Sequence, residues 1–255
     1  RRVLFRSGGD AAFDQLVAAC RDMGLQVMLD GVFNHVSRNH PAVQAALDET
    51  AGRLNPADNP WHGLVRAHVG DNGEPALDVF EGHGDLVALD HSADETVDYV
   101  VHVMSHWLDR GAAGWRLDAA YAVPSPFWAR VLPQVKAAHP YSWIFGEVIH
   151  GDYPRIIEES TMDSITQYEL WKSIQHALET ENFFELDWNL KRHNAFLDSF
   201  VPQTFIGNHD VTRIASQIGP AKAALALAVL MTVGGVPSIY YGDEQGYVGV
   251  KQERF

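Results

Sequence analysis

The amino-acid sequence predicts an α/β fold, a TIM-type (β/α)8 barrel that is truncated to about strands three to eight. Three acids, Asp118, Glu147 and Asp210, each follow a short apolar run of the kind that forms a buried strand. Helical and strand-like segments also alternate along the chain, as in a parallel sheet that is covered by helices. In such a barrel the carboxyl ends of the strands form one rim, and catalytic residues gather there.

Helices are predicted where apolar residues recur every three or four positions. In the first helix Phe13, Leu16 and Val17 share one face, and Gly24 ends the helix. The predicted helices lie at 11–23, 95–110, 126–138, 153–159, 167–178, 189–199 and 220–233.

Short apolar runs between these helices predict strands at 25–30, 113–118, 142–147, 162–166, 203–207 and 236–241. A closed barrel of this type has eight strands, so two more are expected before residue 8. Residues 1–7 match the translation of a common sequencing-adapter oligonucleotide and are left out of the fold. Residues 8–35 and 93–255 are expected to form the partial catalytic barrel, and this fragment is expected to be inactive by itself.

Residues 36–92 are predicted to be a small subdomain inserted after the third strand. The stretch is rich in Asn, Asp, Gly, Pro and His, with isolated apolar anchors at Trp61, Phe80 and Leu86. Its length and turn-forming composition predict an irregular insertion rather than a linker.

The composition excludes several classes of function. The formal net charge of −14 argues against binding of nucleic acid, whose phosphates favour Lys and Arg. The single cysteine, Cys20, cannot form an internal disulfide. The sequence contains no run of 18 apolar residues, so it predicts no membrane-spanning helix. The oligomeric state is left open.

Two of the strand-end acids have neighbours that suit them to different tasks. Arg116 and Asp118 lie two residues apart on a strand and therefore on one face, and an adjacent arginine favours an ionised carboxylate that can act as a nucleophile. Glu147 follows the apolar run Trp143–Gly146, and apolar surroundings favour the protonated form that a proton donor needs. Taken singly, an acid in either setting is more often structural than catalytic.

Histidines accompany the remaining candidates. His209 lies beside Asp210, and together they could hold hydroxyl groups or simply cap the next helix. Asn34 and His35 follow the first strand, where they could contact a ligand or a cation or form a local turn. Two carboxyl groups that face each other across a sugar are the apparatus of glycosidic bond cleavage.

Together, the order and spacing of these motifs resemble the α-amylase family of glycoside hydrolases. The resemblance rests on five blocks and covers the chain from about residue 10 onward. The blocks are Asp30–His35, Gly114–Ala120, Phe145–Val148, Phe205–Asp210 and Gly235–Glu244.

The resemblance implies a role for each matching residue. Asp118 would be the nucleophile, Glu147 the general acid and base, and Asp210 the group that holds the distorted sugar. The substrate-binding residues would be Arg116, which fixes Asp118, together with His35 and His209, which bind sugar hydroxyls. Because the family retains anomeric configuration, the carboxyl groups of Asp118 and Glu147 are expected about 5–5.5 Å apart.

The resemblance departs from the family at a structural calcium site. Many members use the asparagine that corresponds to Asn34, an aspartate in the inserted subdomain and a histidine after the nucleophile. The last two positions are Ala88 and Ala122 here, so no cofactor or metal is predicted, and Asn34 is a ligand only if a calcium site survives. The change at Ala88 resembles the neopullulanase and cyclomaltodextrinase subgroup.

The resemblance therefore implies a retaining hydrolase of α-glucosidic bonds, with a starch-like glucan or a maltodextrin as its partner molecule. An α-glucan transglycosylase with the same catalytic residues is one alternative, because the motifs do not encode whether water or a sugar accepts the glycosyl unit. A non-catalytic binding protein on this fold is the other alternative.

Overall fold

A computed structural model describes residues 8–252 of the chain. The described chain divides into two compact units. The first unit runs to Ile144 and includes Glu159–Thr161, and the second holds Phe145–Glu158 and the chain from Met162 onward. The segment assigned to an adapter, residues 1–7, lies outside the described residues. Among the described helices, none is both long and apolar enough to cross a membrane.

The first unit pairs two parallel strands and covers them with helices. In chain order its elements are α1 (Gly9–Asp22), β1 (Met28–Val32), β2 (His35–Ser37), α2 (Pro41–Thr50), β3 (Ala67–Val69), β4 (Pro75–Leu77), β5 (Leu86–Ala88), α3 (Asp94–Asp109), β6 (Gly114–Asp118) and α4 (Ser125–Ala138). Strand β7 (Trp143–Gly146) carries the chain from the first unit to the second. Strands β1 and β6 pair in parallel, and their register sets Asp30 opposite Arg116 and Val32 opposite Asp118.

Strand β6 has two different faces. Trp115 and Leu117 are buried, whereas Arg116 and Asp118 on the other face are partly exposed. The strand begins at Gly114, where an added Cβ would lie 1.9 Å from the carbonyl oxygen of Trp143. Only glycine fits this close approach of two backbones, which aligns the start of β6 with the chain at Trp143.

The first predicted strand begins later than expected, at Met28 instead of Leu25. The backbone N–H of Leu25 donates to the carbonyl of Cys20 at 2.8 Å, and Gly24 adopts a positive φ of 72°. These contacts end helix α1 with an αL glycine, so Leu25 belongs to the turn that closes the helix.

Residues 36–92 are more regular than predicted. Strands β2 and β5 pair antiparallel, as do β3 and β4. Helix α2 was missed because its buried face consists of the small residues Ala42, Val43 and Ala46. It begins in the expected way, with Pro41 in its first turn and the His40 side chain accepting a hydrogen bond from the N–H of Ala42 at 3.2 Å.

This segment has a hydrophobic cluster of its own, although its status as an inserted subdomain stays a prediction. The buried members of the cluster are Ala42, Val43, Ala46, Leu64, Val65, Val87 and Leu89.

The second unit continues the parallel pattern. After β7 the chain forms α5 (Tyr153–Ser160), whose last two residues belong to the first unit. The other elements of the second unit are β8 (Ser164–Ile165), α6 (Tyr168–Thr180), α7 (Phe184–Phe196), β9 (Gln203–Phe205), α8 (Ile214–Ile218), α9 (Pro220–Leu230) and β10 (Val236–Ser238). Strand β7 pairs in parallel with β8, a parallel bridge from Thr166 to Gln203 continues to β9, and β9 pairs in parallel with β10. Helix α8 was not predicted, because five residues carry too little periodicity to be recognised.

Candidate active site

In the first unit Asp118 ends strand β6 and is held by Arg116. The Nη1 atom of Arg116 donates to Asp118 Oδ1 at 2.8 Å and to the two carboxylate oxygens of Asp30 at 2.8 and 3.0 Å. The parallel register of β1 and β6 brings Asp30 to this position. Asp30 was quoted in a motif but not predicted as a site residue, because only the strand pairing shows that it shares the arginine.

The residue after Asp118 adopts a rare backbone conformation. Ala119 has φ 46° and ψ 36°, the left-handed region that residues with a Cβ seldom occupy, and its side chain is buried. Such a conformation costs about 1–3 kcal/mol and persists where the surrounding packing enforces it. The backbone therefore turns sharply directly after Asp118. The sequence does not indicate this turn, because alanine is not a residue that usually adopts a positive φ.

His35 lies on the same unit, within the electrostatic influence of Asp118. Its ring stacks on Phe80 with the centroids 4.9 Å apart, and its Nδ1 lies 3.2 Å from the Nδ2 of Asn34. Burial lowers the pKa of His35, and the negative charge of Asp118 opposes this shift only in part. With Asn34 as the donor, Nδ1 is the acceptor, and a neutral ring then carries its proton on Nε2.

The positions that correspond to calcium ligands do not form an oxygen-rich site. Ala88 lies opposite His35 in the pairing of β2 with β5, and Ala122 ends a short helical turn, so neither offers a side-chain oxygen. The amide nitrogen of Asn34 faces His35. Within residues 8–252 there is no group of three His, Cys, Asp or Glu side chains that could hold a metal ion. Two of the three corresponding positions thus offer calcium no side-chain oxygen, and the absence of a calcium site stays a prediction.

In the second unit Glu147 directly follows β7 and is buried. The hydroxyl of Tyr168 donates to Glu147 Oε1 at 3.2 Å, and the Nδ2 of Asn208 donates to the Tyr168 hydroxyl oxygen at 2.9 Å. Burial and the nearby charge of Glu147 raise the pKa of Tyr168, so its hydroxyl keeps the proton that it donates. Tyr168 was missed by sequence reasoning, because a tyrosine at a helix start looks like an ordinary core residue.

Asp210 lies in the loop after β9, in the same unit as Glu147. Its backbone N–H donates to the Oδ1 of Asn208 at 2.9 Å, which fixes the turn. The Nε2 of His209 lies 3.2 Å from Asp210 Oδ2, and the Nζ of Lys251 lies 3.6 Å from Oδ1. Both His209 and Asp210 are exposed.

The structure thus groups the predicted residues in two sets. Asp118, Arg116 and His35 lie on the first unit, and Glu147, Asp210 and His209 lie on the second. Their catalytic roles, and the convergence of all three carboxylates, stay predictions.

In each unit a carboxylate lies at or just after the end of a parallel strand, Asp118 beside an arginine and Glu147 beside a hydroxyl donor. The sequence-family model for the α-amylase catalytic domain matches residues 77–255 of the chain. The chain therefore belongs to the α-amylase family of glycosidases.

Two curated relatives show the range of reactions in the family. A cyclomaltodextrinase from a Bacillus species is 30% identical over 251 residues, which are 95% of this chain and 44% of the relative. A cyclomaltodextrin glucanotransferase from Bacillus sp. (strain 1-1) is 27% identical, over 93% of this chain and 36% of the relative. The chain thus spans less than half the length of these relatives.

A solved structure supports the same conclusion on the fold. Cyclic α-maltosyl-(1→6)-maltose hydrolase from Arthrobacter globiformis matches with a TM-score of 0.80 and 25% identity, over 95% of this chain and 56% of that one. The predicted class, a partial α/β barrel of the α-amylase family, is confirmed. The strands of the described residues do not close a barrel.

Proposed function

We propose that the protein containing this chain is a retaining glycoside hydrolase that cleaves α-glucosidic bonds in maltodextrins or starch-like glucans. The observation that carries the proposal is the position of the Asp118 carboxylate at a strand end, where Nη1 of Arg116 donates to its Oδ1 at 2.8 Å. A carboxylate that is oriented in this way at a strand end can act as a nucleophile toward an anomeric carbon.

In the proposed first step, an oxygen of Asp118 forms a bond to the anomeric carbon while the glycosidic oxygen leaves. Glu147 donates its proton to that oxygen, so the shortened glucan departs as an alcohol. In the second step Glu147, now ionised, takes a proton from water, and the resulting hydroxide displaces Asp118 from the sugar. The hydrogen bond from Tyr168 orients Glu147 for both transfers.

The other predicted residues would act on the sugar itself. Asp210 would hold the distorted ring and stabilise positive charge at the anomeric carbon. His35 and His209 would hydrogen-bond its hydroxyls, a role that suits the neutral ring of His35. The names of the relatives, a cyclomaltodextrinase and a cyclic maltosyl-maltose hydrolase, support an α-glucan as the substrate.

The decisive test is Asp118→Asn in the full-length protein, with maltodextrin hydrolysis measured by release of reducing ends. Loss of the nucleophile should lower kcat by about 10⁴-fold or more. Asp187→Asn is the matched control, because Asp187 is an exposed residue that pairs with Lys191 on helix α7. Wild-type turnover in the Asp118 variant, with the control also active, would remove Asp118 from the proposed role.

A transglycosylase is the second candidate, and the similarity to a cyclomaltodextrin glucanotransferase favours it specifically. Both reactions pass through the same glycosyl-enzyme and differ only in the acceptor. Chromatography of the early products from maltotriose separates them, because transfer yields oligosaccharides longer than the substrate.

A binding protein without activity is disfavoured by the presence of all three predicted acids, and inactivity of the wild type on every glucan would support it.

A further inference from the structure

Each oxygen of the Asp210 carboxylate has a side-chain nitrogen as a close neighbour. Oδ2 lies 3.2 Å from the Nε2 of His209, and Oδ1 lies 3.6 Å from the Nζ of Lys251. The same ammonium group donates to the backbone carbonyl of His209 at 2.7 Å. The ammonium group of Lys251 therefore contacts the backbone of His209 and the side chain of Asp210.

The backbone around Lys251 is fixed by hydrogen bonds to the chain that follows Asp210. Its own N–H donates to the Oγ1 of Thr212 at 3.0 Å, and the N–H of Gly249 donates to the Oγ of Ser216 at 2.8 Å. In return the N–H of Arg213 donates to the carbonyl of Gly249 at 3.0 Å. These three hydrogen bonds tie the backbone near Lys251 to the chain that follows Asp210.

Arg213 in turn anchors this arrangement in the interior. Its Nη1 donates to the carbonyl of Tyr241 at 2.9 Å and to Oδ1 of the buried Asp243 at 2.8 Å. The guanidinium carbon also lies 4.3 Å from the ring centroid of Tyr240. A buried ion pair with an aromatic neighbour gives the turn a rigid base.

We propose that Lys251 is a positioning residue that fixes the orientation of the Asp210 carboxylate. Its consequence for turnover rests on the proposed function, in which Asp210 must face the sugar at a fixed angle. An exposed ion pair adds little to folding stability, so loss of this contact should leave the Tm of the protein unchanged. Misplacement of a catalytic group by about 1 Å can cost up to about 100-fold in rate.

The test compares Lys251→Met, Lys251→Arg and Lys222→Met in the full-length protein. Lys222 is the matched control, because it forms a similarly exposed ion pair with Glu181 elsewhere on the same unit. We expect the methionine variant at 251 to lose about 10-fold or more in kcat with an unchanged Tm, and the arginine variant to recover most of that loss. Wild-type kcat in Lys251→Met, or no recovery with arginine, would overturn the proposal.

Two further measurements link the effect to Asp210 itself. In an Asp210→Asn background, Lys251→Met should cause no additional loss of kcat, and a full additional loss would show that the lysine acts elsewhere. Crystal structures of the wild type and of Lys251→Met should show that Asp210 loses its single orientation in the variant. An unmoved Asp210 refutes the positioning whatever the substrate is. A reoriented Asp210 in a protein that cleaves no glucan instead refutes the proposed function alone.

Discussion

The two units hold their aspartates in different ways. Asp118 is the last residue of a strand, is 27% exposed, and is bound by an arginine from the same strand. Asp210 lies on a loop, is 45% exposed, and is bound by His209 and by the distant Lys251. A strand fixes its side chains through the backbone register, whereas a loop needs contacts from other segments to reach the same order.

The largest effect that would sharpen this comparison is expected at Arg116. Arg116→Met leaves Asp30 and Asp118 as neighbouring carboxylates without their shared cation, so they repel each other and Asp118, the proposed nucleophile, moves. We expect kcat for maltodextrin hydrolysis to fall by about 10²–10³-fold, comparable to the loss of a preorganised electrostatic contact.

Arg130→Met is the control for this variant, because Arg130 forms an exposed ion pair with Asp94 at the helix surface. It should retain wild-type activity, since exposed ion pairs contribute little. A nearly unchanged kcat in Arg116→Met would show that the strand alone orients Asp118.

A smaller effect is expected at Tyr168 in the second unit. Tyr168→Phe removes the hydroxyl that donates to Glu147 and accepts from Asn208. We expect kcat for maltotriose to fall by about 10-fold, less than the roughly 10²–10⁴-fold that acid–base catalysis itself contributes, because Glu147 is still present. Steady-state kinetics should show a smaller loss on a nitrophenyl maltooligosaccharide, because that leaving group needs little protonation.

The control is Tyr141→Phe, since Tyr141 is almost fully exposed. If Tyr168→Phe slowed both substrates equally, the tyrosine would support the fold of the second unit and not the orientation of Glu147.

The smallest effect is expected from removal of metal ions. Ala88 and Ala122 supply no side-chain oxygen, so we expect EDTA to leave the activity and Tm of the full-length protein unchanged. If EDTA inactivated the protein and added calcium restored the activity, a bound calcium ion would be shown to stabilise the first unit.

The parts of the site that were predictable are those whose partners are close in sequence. Arg116 and Asp118 share a strand face because they are two residues apart, and this spacing is visible without a structure. Asp30, Tyr168 and Lys251 escaped prediction because each reaches its partner from a distant segment. Sequence spacing carries no direct record of such contacts.

The fold shows the same division. The six parallel strands were found from their apolar runs, with shifts at the ends, as at Met28. Helix α2 was missed because alanine and valine bury enough surface for a small subdomain without a strong periodic signal. The left-handed conformation of Ala119 was missed because tertiary packing, and not the local preference of alanine, imposes it.

The glycine that begins β6 has a consequence for engineering of this protein. Position 114 excludes valine and lysine for the same reason, since any Cβ would meet the carbonyl oxygen of Trp143 at 1.9 Å before polarity could matter. A library that randomises β6 to alter substrate preference should therefore leave this position fixed.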